Sequence, residues 1–191
     1  EDLERIAMNF GGENIAACII EPIAGSTGTL VPPKGYLKRV REICNKHGIL
    51  LIFDEVITGW GRTGSAFAAQ EWNVTPDIMT MAKATTNGVV PMGVVAVKEE
   101  IYDSVLDASS APEGTPELFH GYTYSGIPVA VAAALAVQDI FDKEDIFKRA
   151  KEMSPYLQDG LQSLKDLKEV ISIRGYGMMG GIEMKMKEKP G

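Results

Sequence analysis

Two unbroken apolar runs, residues 15–20 and 49–53, constrain this chain most, because each ends abruptly in carboxylates, Glu21 after the first and Asp54 and Glu55 after the second. A strand that is apolar at successive positions hides both of its faces, the pattern of a parallel sheet covered on both sides. Between the runs, residues 35–47 read as a helix, with Leu37, Val40, Ile43 and Cys44 on one stripe and Gly48 as the stop. Residues 77–81 and 93–97 read as two more short strands, and residues 1–14 as an amphipathic helix running into a Gly11–Gly12 turn. This alternation predicts an α/β domain with a largely parallel sheet.

The character changes after about residue 110. Residues 111–126 are loop-like, rich in Pro, Gly, Ser and Tyr. Pro128 opens an alanine-rich helix over 128–141, and 144–167 continues helically. Residues 170–174 and 178–184 read as strands with a break at Gly175, Tyr176 and Gly177. The tail reads as the start of a second, smaller α+β domain that stops in mid-course at Gly191.

Several function classes have no support. The net charge of -7 gives no electrostatic case for nucleic acid or an anionic membrane. No apolar run approaches the roughly 18 residues of a membrane span, and the first residues show no basic segment followed by an apolar core, so no signal peptide is visible. Cys18 and Cys44, in a predicted strand and a predicted helix, are expected as buried free thiols in a reducing compartment, the cytoplasm. With only His47 and His120 and no Cys/His cluster, no metal site is expected.

Four groups carry chemistry. Asp54 and Glu55 follow an apolar strand, at the edge where open α/β sheets bind ligands; a helix cap or a solvated turn is the alternative. An acid at one strand end and a lone lysine at the next, Lys83 after the 77–81 run, suit a pyridoxal phosphate enzyme. The lysine forms the Schiff base and the acid faces the pyridine nitrogen. Lys83 follows Met79, Met81 and Ala82 and precedes Thr85, Thr86, Asn87 and Gly88. Partly apolar surroundings make such an amine a nucleophile toward carbonyls, whereas most lysines are simply solvated. The loops holding Gly25 and Gly28, and Gly59, Gly61 and Gly64, can cradle an anion through backbone N–H groups. Neither matches a Walker or a dinucleotide loop, and most glycine loops are only turns. Residues 120–126 bring hydroxyls and backbone donors to a helix start, either an anion site or a helix capped near Ser125.

Together these pieces resemble the class III aminotransferases, pyridoxal phosphate enzymes of the aspartate aminotransferase fold. The resemblance rests on residues 51–64, Pro76, Asp77, Lys83, and Gly88, Pro91 and Gly93. Glu21, Pro22 and Ile23, residues 31–37 and residues 120–126 fit in the same order. It covers essentially the whole chain. It implies that residues 1–126 form part of a cofactor-binding large domain, and 127–191 an interdomain helix and part of a small C-terminal domain.

The resemblance also assigns roles. Lys83 would hold the cofactor and then shuttle the proton. Asp54 would pair with the pyridinium nitrogen, Val56 would pack on the ring face, and Glu21 would support the site. Thr123 would reach the cofactor phosphate of a neighbouring subunit, making a homodimer with a shared active site. Arg62 would hold its loop by hydrogen bonds, and Arg174 would be structural. Residues 86–93 and 120–126 look most like the ω-amino acid:pyruvate group, which includes β-alanine:pyruvate enzymes. Ser26 stands where ornithine and GABA aminotransferases usually carry a glutamate that parks a substrate-binding arginine, which counts against those two. Ile127 departs from the polar residue common in the group. The expected reaction is transfer of an amino group from an ω-amino acid or amine to a keto acid such as pyruvate. The alternatives are a glutamate-1-semialdehyde-type aminomutase, another class III aminotransferase, and a non-catalytic α/β binding domain with a structural Lys83. Family members are longer. They carry a phosphate loop and a ring-stacking aromatic before this region and usually a carboxylate-binding arginine after it. This chain alone is therefore expected to be inactive, with apolar surface exposed.

Overall fold

The computed structural model describes residues 2–108 and 120–186. Six helices and six strands follow in the order α1 (Asp2–Phe10), β1 (Ala17–Ile20), α2 (Tyr36–His47), β2 (Leu50–Asp54), α3 (Ala68–Glu71), β3 (Ile78–Met81), β4 (Val94–Val97), α4 (Glu99–Ala108), α5 (Pro128–Lys143), α6 (Ile146–Gln162), β5 (Val170–Tyr176) and β6 (Met179–Met184). The first four strands make one sheet in the order β1-β2-β3-β4, and β5 and β6 pair separately. β1, β2 and β3 run parallel, while β4 is antiparallel to β3. The sheet is therefore mixed, as "largely parallel" anticipated.

The predicted stripe of α2 is buried as expected: Leu37, Val40, Ile43 and Cys44 are each 5% exposed or less. Gly48 ends the helix in a left-handed conformation, its N–H donating to the Cys44 carbonyl. Leu37, Val40 and Cys44 pack with Ala7 of α1 onto Leu51 and Phe53 of β2. Full burial of each large side chain contributes roughly 1.5–3 kcal/mol.

Within this chain only one face of the first two strands is covered, and the other leaves exposed the apolar surface expected of the chain alone. β1 alternates, with Ile19 61% exposed between the half-buried Cys18 and Ile20. In β2 Leu51 and Phe53 are buried while Ile52 is only half-buried. The reason is the two-residue side-chain period of a strand. α1 and α2 cover one face, and Ile19 lies opposite Ile52 on the other.

Asp77 ties the lower edge of the sheet together. Its carboxylate accepts from the Leu51 N–H at 2.7 Å and meets Arg41 of α2 at 2.6 Å and Lys98 at 2.8 Å. Burial alone would raise its carboxyl, but the Lys98 ammonium, the Leu51 N–H and the Arg41 guanidinium take it below the usual range. Cys18 and Cys44 are free thiols, and burial pushes Cys44 up to about 11.

Helical structure in the C-terminal part breaks where the sequence suggested continuity. Asp145, at φ 49°, separates α5 from α6, and α6 ends at Gln162 rather than running on to residue 167. The hairpin turn is shorter than predicted, with Gly175 and Tyr176 inside β5. Gly177 makes the turn at φ 59°, and a Cβ there would stand 2.4 Å from the Arg62 carbonyl oxygen. Gln158 of α6 donates to the carbonyls of Gly177 and Met179. The Tyr176 hydroxyl donates to Glu71, which also accepts from Ser65 at 2.6 Å. Burial, then the Glu71 carboxylate, pushes the Tyr176 phenol up to about 12, so it remains a donor. α3 and α4 lack a clear sequence signal and were not anticipated. Most of the 111–126 loop lies outside the described residues. Among the described residues no helix is long and apolar enough to cross a membrane, and no group of three or more His, Cys, Asp or Glu could hold a metal ion.

Candidate active site

Because β1, β2 and β3 are parallel, the residues after each emerge on one edge: Glu21, Asp54 and, beyond Met81, Ala82 and Lys83. Asp54 stands in register with Thr80, and the Glu55 N–H continues that ladder to the Thr80 carbonyl. The carboxylate and the lysine thus leave neighbouring strands on the same side.

The two acids divide the alternatives the sequence left open. Glu55 is the cap. It is fully buried and accepts from the Thr58 hydroxyl at 2.7 Å and from the N–H groups of Ala68 and Ala69 at 2.9 and 2.7 Å, at the start of α3. Burial outweighs these donors and holds its carboxyl above the usual range. Asp54 keeps a half-buried carboxylate whose Oδ1 accepts from the Val56 N–H at 3.0 Å, turning the chain so that Val56 stands beside the strand end.

Lys83 sits in the left-handed region at φ 45°, a conformation costing a non-glycine residue roughly 1–3 kcal/mol and often found where function demands it. The surrounding turn holds it there. Thr85 and Thr86 are each 2% exposed. The Thr85 hydroxyl donates to the Ala82 carbonyl and accepts from the Trp60 indole N–H, both at 3.0 Å. Thr86 donates to the Val90 carbonyl. The surroundings of Lys83 are partly apolar, with Val56, Ile57, Ala84, Met178 and Met179 lining one cavity with it. The Lys83 side chain is exposed, with no hydrogen bond or ion pair among the described residues, because the apolar Met81 turns into the sheet behind it, while the Lys83 carbonyl accepts from the Gly88 N–H at 3.2 Å.

A cavity of about 660 Å³ opens beside Lys83, bounded by Ser26, Val56, Ile57, Arg62 and Asn87. A second, of about 580 Å³, lies between Val56, Thr80 and Ala82 on one side and Tyr122, Tyr124 and Ile127 on the other. Val56 is the shared wall. Glu21 reaches the first cavity indirectly: its Oε2 accepts from the Gly25 N–H at 2.9 Å and closes the loop that carries Ser26. Thr123 lies on an exposed turn and borders neither cavity. Ser125 does not cap α5. Its hydroxyl accepts from the Tyr122 N–H at 2.8 Å, within its own turn.

Two arginines behave differently from one another. Arg174 is structural, as the sequence reading held: its Nε donates to the Gly28 carbonyl at 2.8 Å, and Nη1 meets Glu183 at 3.0 Å. Arg62 is a correction. Its side chain is exposed and makes no hydrogen bond among the described residues; only its carbonyl holds the loop, by accepting from the Met178 N–H. Sequence reading missed Met178 and Met179, which close the Lys83 cavity from the C-terminal hairpin. No local pattern marks them, since only the packing of the hairpin brings them there.

The family described as "Aminotransferase class-III" matches residues 1–190. The chain is 52% identical over 191 residues to an omega-aminotransferase of Caulobacter vibrioides, covering 100% of this chain and 42% of the relative. It is 50% identical over 183 residues to a beta-alanine–pyruvate aminotransferase of Pseudomonas aeruginosa, covering 96% and 41%. The fold matches the crystal structure of an (S)-enantioselective omega-transaminase from Thermomicrobium roseum with a TM-score of 0.89 and 43% identity, covering 96% of this chain and 40% of that one. The chain therefore spans about two-fifths of the length of the relatives it matches. On the family match, the sequence identity and the shared fold, the chain belongs to the class III aminotransferases and has the fold of the type I pyridoxal phosphate enzymes.

Proposed function

We propose that the intact protein transfers an amino group from an ω-amino acid or amine to a keto acid such as pyruvate, using pyridoxal 5'-phosphate. The observation that carries this is the pairing of Asp54 with Thr80, which sets a half-buried carboxylate and the strained Lys83, its amine unpartnered among the described residues, at adjacent strand ends. The residues present fit the cofactor: a free amine, an acid already oriented by the Val56 N–H, and a branched apolar side chain between two cavities. When bound, the cofactor supplies an electron sink for charge developing on the substrate carbon.

Lys83 would hold the cofactor through its amine and would carry the substrate proton. Asp54 holds a proton on the cofactor's ring nitrogen by charge pairing. Val56, which borders both cavities, would pack against the cofactor ring, and Glu21 steadies the loop bearing Ser26. Thr123, exposed on its turn, serves the cofactor phosphate of a second subunit, so the working protein is a homodimer. In this reading residues 1–126 belong to the cofactor-binding domain and 127–191 to an interdomain helix and small domain, and the protein is cytoplasmic. The ω-amino acid:pyruvate assignment is supported by the relatives above and by an omega-amino acid–pyruvate aminotransferase of Pseudomonas putida, 49% identical over 184 residues.

The test is to load the intact protein with pyridoxal phosphate, confirm a visible absorbance band, and supply β-alanine or a simple amine with pyruvate. Alanine formation at the expense of the donor is expected. Conversion of glutamate-1-semialdehyde without any keto-acid acceptor, and none with pyruvate, would assign the aminomutase reaction instead.

A further inference from the structure

We propose that Trp60 is a positioning residue for Lys83, holding the lysine's turn in its left-handed conformation through a hydrogen bond to Thr85; this rests on the amino-transfer reading. Trp60 and Lys83 both take positive φ, 61° and 45°, although neither residue type favours it. One buried hydroxyl joins them. The Trp60 indole N–H donates to the Thr85 hydroxyl oxygen at 3.0 Å, and that hydroxyl donates to the Ala82 carbonyl at 3.0 Å. An indole N–H can only donate, so the Thr85 oxygen must accept there and its own proton is left for Ala82. Hydrogen bonds linked in series this way polarise and strengthen one another.

The Ala82 carbonyl belongs to the peptide immediately before Lys83, so its orientation sets the lysine's φ. The Thr85 N–H reaches the same oxygen at 3.0 Å, and on the far side the Gly88 N–H donates to the Lys83 carbonyl at 3.2 Å. Lys83 is clamped by its backbone, while its exposed amine has no partner among the described residues. Trp60 is itself anchored. Its backbone N–H donates to the Ala66 carbonyl at 2.6 Å, and the Gly59 N–H before it donates to the Glu55 carbonyl at 2.9 Å. Its ring meets Phe67 edge-on, with centroids 5.0 Å apart, and Phe141 of α5 at 5.9 Å. A phenyl ring at position 60 would keep this packing and supply no donor. With Thr85 only 2% exposed, solvent offers no substitute for the lost N–H.

The test is hydrogen exchange, read by mass spectrometry on the cofactor-free intact protein, for the wild type, Trp60→Phe, Thr85→Val, Thr85→Ser and the Trp60→Phe/Thr85→Val double variant. Trp60→Phe should speed exchange over residues 82–89 roughly 2–10-fold, the loss expected for one neutral hydrogen bond, while β2 and α5 stay within about twofold. Thr85→Ser keeps the hydroxyl and should stay within about twofold of wild type. The double variant should exchange no faster than Thr85→Val alone, because both changes break the same link. In the loaded enzyme, with β-alanine and pyruvate, Trp60→Phe should lower kcat by a similar factor and leave both KM values within about twofold. Misplacing the proton carrier raises the barrier without weakening substrate binding.

Unchanged exchange over residues 82–89 in Trp60→Phe overturns the proposal. Exchange raised as much in α5 and the 56–67 loop also overturns it, in favour of plain core packing. Additive effects in the double variant would break the link through Thr85, and faster exchange with an unchanged kcat would leave Trp60 a structural contact only; either result overturns it. Should Trp60→Phe fail to fold, Thr85→Val must show the faster exchange and Thr85→Ser must not, or the proposal falls. Faster exchange confined to residues 82–89 in a protein that transaminates nothing would sink the amino-transfer reading and still support the Trp60 clamp on Lys83.

Discussion

The N–H of Met178 donates to the carbonyl of Arg62 across 2.8 Å, joining the turn of the C-terminal hairpin to the glycine-rich loop after β2. That one bond fixes two walls of the Lys83 cavity relative to each other, since Arg62 and Met178 both line it. Arg174 adds a second strut, from β5 to the Gly28 carbonyl on the loop that carries Ser26.

The joint depends on Gly177. At φ 59°, and with a Cβ placed 2.4 Å from the Arg62 oxygen and 2.8 Å from the Thr63 Cα, both the conformation and the space are closed to a side chain. Gly177→Ala should destabilise the intact protein by about 2–4 kcal/mol, from left-handed strain plus overpacking. Gly88→Ala is the control. It shares the positive φ, but no atom lies within 4 Å of its Cβ position, so only about 1 kcal/mol of strain is expected. Denaturant unfolding of both variants checks the difference.

Lys83 should carry the cofactor. Borohydride treatment of the loaded enzyme, followed by peptide mass mapping, should place the pyridoxyl group on the peptide containing Lys83. Label on Lys98 would refute the assignment, and the structure already engages Lys98 with Asp77 at the opposite end of β3. Lys83→Ala should leave cofactor binding measurable and abolish turnover, because the proton carrier is gone.

Asp54→Asn should cost turnover more than substrate affinity. Asp54 acts on charge that develops during the reaction, so its loss raises the barrier more than it weakens binding. Loss of a charged hydrogen bond is worth roughly 1.5–3 kcal/mol, or about 10–100-fold in kcat. Steady-state kinetics with pyruvate as acceptor provide the test; a variant with normal kcat and only a raised KM would remove Asp54 from this role.

Asp77 should make stability depend on acid. Its folded-state carboxyl lies below the ordinary value of 3.8, so its contribution is complete above that pH and is lost as pH falls below it. Asp77→Asn strands the Arg41 guanidinium, whose side chain is 16% exposed, and should cost about 3–5 kcal/mol at neutral pH. The gap between wild type and variant should narrow as unfolding is measured at successively lower pH below 3.8. A gap that stays constant through that range would show that the carboxylate's charge is not what stabilises the fold.

The sequence by itself determined the order and type of most elements, because those depend on local pattern. The α2 stripe of Leu37, Val40, Ile43 and Cys44 was legible from a 3.6-residue period, and its end from Gly48. The strand ends at Glu21 and Asp54, and the placement of Lys83 after β3, followed from where apolar runs stop. Tertiary structure decided what depends on approach in space. It chose Glu55 over Asp54 as the cap of α3, since Ala68 and Ala69 reach Glu55 only after the loop folds back. It exposed Ile19, which any apolar run would count as buried, because helices cover only one face of β1 among the described residues. It also freed the Arg62 side chain and brought Met178 and Met179 to the Lys83 cavity from a distant hairpin. Periodicity reports which face of an element is apolar; only packing reports what that face, or a polar group beside it, finally meets.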